Sequence, residues 1–176
     1  MKKTISLWQF AGFAFTSFTG TILHFLYDWT GQSILAAPFS AVNESTWEHM
    51  KLLFFPMLIF ALIESRFLKK DIPCFWGVKL IGVSVGLLLI PFLFYTYNGA
   101  IGPSPDFVNI AIFFISAAAA YFLETKLLQN EAFSFRSTVL PLAILLIIAV
   151  LFVTFTFNTP QIPLFRDPES YLYGVW

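Results

Sequence analysis

Two short stretches hold the residue types that can do chemistry: His24 with Asp28 four residues later, and Asn43-Glu44-Ser45-Thr46-Trp47-Glu48-His49-Met50-Lys51. Imidazoles beside carboxylates can ligate a divalent metal, exchange protons as general acid and base, or hold a small cation. The chain has only two histidines, and both lie in these stretches. Its single cysteine, Cys74, excludes an internal disulfide and a cysteine-rich metal site. Any metal chemistry must therefore use His, Asp and Glu. The sequence nominates His24, Asp28, Glu44, Glu48, His49 and Lys51 as ligand-binding residues, and His24, Asp28, Glu48 and His49 as the ligands of a metal such as zinc. No residue is singled out as catalytic.

Structural readings compete for the same residues. At helical spacing Glu44, Glu48 and Lys51 share one face, with His49 about a quarter-turn away. Ser45 with Glu48 is also a capping box, which satisfies the first amides of a helix. The pair His24 and Asp28 could fix a helix contact by hydrogen bonding, and Lys51 could snorkel to lipid headgroups. The spacing differs from H-E-x-x-H, so motif alone does not establish a metal site.

A length argument places these residues. The apolar run 52–63 makes about 18 Å of helix, whereas a hydrocarbon core of about 30 Å needs roughly 20 residues. The helix must extend to about 46–67, which brings Glu48, His49 and Lys51 to the membrane boundary or just inside it. Ionisable groups at that depth usually face a bundle interior or a wet cavity. Residues 7–28 form the preceding helix and read as a span in place of a signal peptide, being too long for the apolar part of one. Gly12, Thr16, Gly20, His24 and Asp28 draw a small and polar stripe down it, suited to facing other helices.

Three further spans follow, at 73–97, 107–127 and 138–157, with an extracytoplasmic tail at 158–176. Pro56 frees the carbonyl of Leu52 near the charged turn. Gly82 and Gly86 offer a small-xxx-small face, which could also join two copies of the chain. The uncharged loop 29–42 lies over the site, and Arg166 and Asp167 could fold across its opening. Glu64 with Arg66, and Glu124 with Lys126, read as charges anchoring inner helix ends at the interface. Lys2, Lys3, Arg66, Lys69, Lys70, Lys79, Lys126 and Arg136 fall on one side, against Lys51 and Arg166 on the other. The positive-inside rule then puts the amino terminus in the cytoplasm, the carboxyl terminus outside, and both histidines in the outer leaflet.

Composition fixes the class. Of 176 residues, 58% are hydrophobic and only 11% charged, far from the averages of soluble domains. The reading is an all-α integral membrane five-helix bundle forming one domain, with the bilayer and a small molecule or ion as partners. A net charge of zero argues against nucleic acid. Function is expected to be binding or transport of a small cationic or metal-linked ligand; the alternatives are a metal-dependent hydrolase at the outer leaflet and a structural subunit of a membrane complex.

His24-x-x-x-Asp28-Trp29, Asn43-Glu44-Ser45-x-Trp47-Glu48-His49-x-Lys51 and Pro163-Leu164-Phe165-x-Asp167-Pro168 together resemble a family of small, functionally uncharacterised bacterial membrane proteins with an NES-x-WEH-x-K signature. The resemblance spans the chain. It implies a multi-pass protein of the bacterial plasma membrane and brings no activity or cofactor with it.

Overall fold

The computed structural model describes residues 1–130, 132–133 and 137–175. Arg136, one of the cations counted above, and the terminal Trp176 lie outside the described residues. The chain folds into α1 (Lys2–Trp29), α2 (Thr46–Leu68), α3 (Phe75–Ala100), α4 (Asp106–Leu128) and α5 (Val139–Phe157), followed by a 3-10 turn at Pro163–Phe165. Among the described residues the only β pairing is an isolated bridge between Arg166 and Tyr173. α3, α4 and α5 are long and apolar enough to cross a membrane. α1 and α2 are also long, 28 and 23 residues, but they turn polar side chains into the bundle.

The small and polar stripe of α1 explains how closely the helices approach. Gln9, Gly12, Thr16 and Gly20 are its buried positions, whereas Leu7, Phe10 and Phe18 point outward. A methyl group on Gly12 would lie 2.5 Å from the Tyr121 ring of α4 and 2.7 Å from Phe60 of α2. One on Gly20 would lie 2.6 Å from Phe113 and 2.9 Å from the Leu52 carbonyl oxygen. That carbonyl is the one Pro56 cannot hydrogen-bond, since proline has no N–H. Where lipid is as apolar as leucine, such close approach and polar contacts hold helices together in place of the hydrophobic effect.

Gly82 and Gly86 serve contacts inside the chain. Gly82 lies beneath the Glu124 side chain, and Gly86 packs against Leu53 and Ala120. Their face is thus packed against α2 and α4 within the chain. The tail returns to the bundle: Phe165 is buried against Trp47 and Phe155, and the Asn43 amide donates to the Gly174 carbonyl at 3.1 Å. Cys74 is buried at the start of α3.

Candidate functional site

The Asn43–Lys51 stretch divides its work between two faces. Helix α2 starts at Thr46, with Ser45 as its cap: the Ser45 hydroxyl accepts the Glu48 amide at 3.4 Å. Asn43 closes the turn before it, its side-chain carbonyl accepting the Ser45 amide at 2.9 Å. Glu44 therefore precedes the helix and does not share a helical face with Glu48 and Lys51, as spacing alone suggested. The turn carries its carboxylate the other way, to the two imidazoles.

There the structure joins α1 to α2. Glu44 Oε2 lies 3.8 Å from His24 Nε2 and 3.5 Å from His49 Nε2, and the two imidazole rings meet edge to face at 5.5 Å. One potential ligand atom from each of the three residues falls within 4.8 Å of the others. His49 Nδ1 sits 3.0 Å from the Ser45 carbonyl oxygen, which can only accept, so that nitrogen carries the proton. In the neutral ring Nε2 then presents a lone pair toward a carboxylate oxygen. Such an opposition is relieved by a positive charge between the two atoms, either a proton on the imidazole or a metal ion. Two ligands bound at about 2.05 Å with tetrahedral angles stand roughly 3.4 Å apart, close to the separations found here.

This cluster opens on a cavity of about 470 Å³ between α1, α2 and α4. Glu44, Asp106 and Glu169 contribute carboxylates to its lining, and among the described residues no lysine or arginine does. Phe113, Phe114 and Ile110 form its apolar wall. Leu52, the residue whose carbonyl Pro56 leaves unpaired, also lines it. Asp106 and Glu169 carry no signal in the sequence beyond acidity, since nothing local says that the start of α4 and the tail meet the histidines.

Glu48 and Lys51 take another part. Lys51 is fully buried, and its ammonium lies 2.6 Å from Glu48 Oε2 while donating to the Ala37 carbonyl at 2.8 Å and the Thr156 hydroxyl at 2.9 Å. Glu48 also accepts the Val42 amide at 3.0 Å. The pair latches loop 29–42 and α5 onto α2, so Lys51 does not snorkel to headgroups. Trp47 supports the same latch by packing on Phe152, Phe155 and Phe165. Asp28 is exposed on the last turn of α1, outside the group of three. In the tail, Arg166 stacks over Tyr171, and Asp167 accepts the Glu169 amide and the Ser170 hydroxyl. Neither forms an ion pair with the cluster among the described residues; Glu169 is the tail residue that reaches the cavity.

At the opposite end lies a second polar centre that sequence reasoning missed. Glu64 and Glu124 are fully buried, and both converge on Lys79, with Nζ 2.6 Å from Glu64 Oε2 and 2.5 Å from Glu124 Oε2. The contact to Glu64 Oε2 is a close charge contact without hydrogen-bond alignment. Gln9 donates to Glu64 Oε1 at 2.6 Å and accepts from Lys79 at 3.3 Å. These carboxylates are thus not interface anchors, although Arg66 and Lys126 beside them are exposed. Each acid sits about one turn inside its helix end, which on paper looks like anchoring. The available signal was Gln9, which continues the Gly12, Thr16, Gly20 stripe by one more turn.

No curated protein sequence and no solved structure matches this chain. A family model covers residues 1–175, and on that match the chain belongs to a family of unknown function (DUF6512).

Proposed function

We propose that the protein is a multi-pass protein of the bacterial plasma membrane whose outer-end cavity takes up a divalent cation. All five helices cross the bilayer, with the amino terminus in the cytoplasm and the histidines in the outer leaflet. Exposed cations support that orientation: Lys2, Lys3, Arg66, Lys69, Lys70 and Lys126 lie at the triad end and Arg166 at the other, while Lys51 and Lys79, now seen to be buried, drop out of the count. His24, Glu44 and His49 are the ligands, and zinc suits two imidazoles with one carboxylate. The observation that carries the reading is the Nε2 of His49 facing the Glu44 oxygen at 3.5 Å, with Nδ1 committed to the Ser45 carbonyl. The acidic lining of the cavity would concentrate cations at its mouth.

A second reading draws on the size of the cavity. About 470 Å³ with an apolar wall exceeds what an ion requires, and three protein ligands leave a coordination position open for water. A metal-dependent hydrolase acting on a lipid-phase substrate fits those two facts. Both readings predict stoichiometric metal; only the second predicts metal-dependent turnover.

Metal analysis of the purified chain after equilibration with zinc and removal of excess tests the shared step. One zinc per chain is expected, lost in His24→Ala, His49→Ala and Glu44→Gln. Wild-type protein that leaves this treatment metal-free overturns the reading. Release of fatty acid or headgroup from phospholipid vesicles, abolished by chelation, would then select the hydrolase.

A further inference from the structure

The triad at the other end of the bundle has an imbalance that its geometry localises. Two carboxyl groups face one ammonium, and all three side chains are within 2% of complete burial. The charged groups acting on Glu124 are Lys79 and Glu64, with Tyr121 on the same helix and Gln9 and Thr16 from α1 as uncharged polar neighbours. Tyr121 is committed to Thr16, the two oxygens being 2.8 Å apart. The rings of Phe75 and Tyr121 flank the ammonium without adding charge. Fully ionised, the triad carries one uncompensated negative charge about one helical turn inside the bundle, where an unpaired charge is strongly disfavoured.

The two acids are not equivalent. Glu64 has Oε1 hydrogen-bonded by the Gln9 amide and Oε2 in a close charge contact with the Lys79 ammonium that lacks hydrogen-bond alignment. Such an arrangement suits a carboxylate. Glu124 gives only Oε2 to Lys79, while Oε1 is buried against the backbone of α3 at Gly82 and has no partner. We infer that the triad is a proton-binding site, holding one proton on Glu124 Oε1 at neutral pH beside an ionised Glu64–Lys79 pair. Loading is the simple transfer of a proton from water at the nearby helix ends to the Glu124 carboxylate, taking the triad from a net charge of −1 to zero. Nothing is oxidised and no other bond changes. The site is independent of the zinc reading, because it uses none of the same residues and lies at the other end of α1.

Infrared spectroscopy of the whole chain in lipid nanodiscs tests this at neutral pH, with and without chelator. The carbonyl stretch of a protonated carboxylic acid is expected in the wild type in both conditions, shifting in heavy water and absent from Glu124→Gln. The glutamine variant imitates the neutral acid in shape and charge, so its melting temperature should match the wild type or exceed it. Glu64→Gln should also abolish the band, because Glu124 then becomes the sole counter-ion of Lys79 and ionises. A wild type without the band, a band that survives Glu124→Gln, or a Glu124→Gln protein that fails to fold would each overturn the proposal.

Discussion

The two polar centres of this molecule are built from similar groups and solve opposite problems. At the histidine end, His24 and Glu44 are partly exposed, the carboxylate stands 3.5–3.8 Å from its neighbours, and a large cavity lies alongside. At the triad end the contacts are 2.5–2.6 Å and the residues are sealed by helices. Separated ligand atoms that face a cavity leave room for an ion; closed contacts leave room for nothing larger than a proton. Within the histidine end the same contrast recurs, since Glu48 with Lys51 is closed and buried while Glu44 with His49 is not.

That contrast can be broken most strongly at Lys79. Lys79→Met strips two buried carboxyls of the cation they share, and removing one partner of a buried pair typically costs about 3–5 kcal/mol. Thermal melts in detergent should show a large loss of stability with zinc stoichiometry per folded chain unchanged. At the other end, His49→Ala should lower zinc affinity more than about 100-fold, since even outer-shell partners of metal ligands are worth about 10–100-fold. Its melting temperature in the absence of metal should barely move. Gly82→Ala probes the triad with a single methyl, which would collide with the Glu124 side chain. Overpacking of this kind costs about 1–3 kcal/mol, and the variant should lose the protonated-carboxyl signal as Glu124 is displaced.

Two smaller effects sharpen the comparison. Imidazoles must be neutral to ligate, so zinc affinity should fall on acidification, with protons displacing the metal. Calorimetric zinc titrations at several pH values would show it, and an affinity that rose on acidification would count against histidine ligation. Glu169→Gln should weaken cation binding only a few-fold, an effect that added salt should erase because a charge at a cavity mouth is screened.

Much of the histidine end was legible in the sequence because it follows from lengths. Reading the apolar run 52–63 as part of a longer helix puts its start near Thr46, where the structure has it, and His49 near the same end of the bundle as His24. Glu44 was legible as an acid but not as a partner of the imidazoles, because helical spacing stops applying before the cap at Ser45. Lys51 and Glu48 read as part of a charged face, yet their fate depends on loop 29–42 and Thr156, which are distant in sequence. The triad was the least legible. Glu64, Lys79 and Glu124 each look like a charge near a helix end, and only the rotation of three helices about their axes turns them toward one point.

The Thr156 hydroxyl gives the fifth helix a fastening that its greasy surface cannot supply. α5 is the most apolar of the helices able to cross a membrane, and in lipid such a rod gains little by leaving its solvent for a neighbour. Lys51 reaches it across the bundle like a hook, and the same ammonium holds the backbone at Ala37. Unhooking it with Lys51→Met would free the last helix and loop 29–42 together, since one ammonium fastens both.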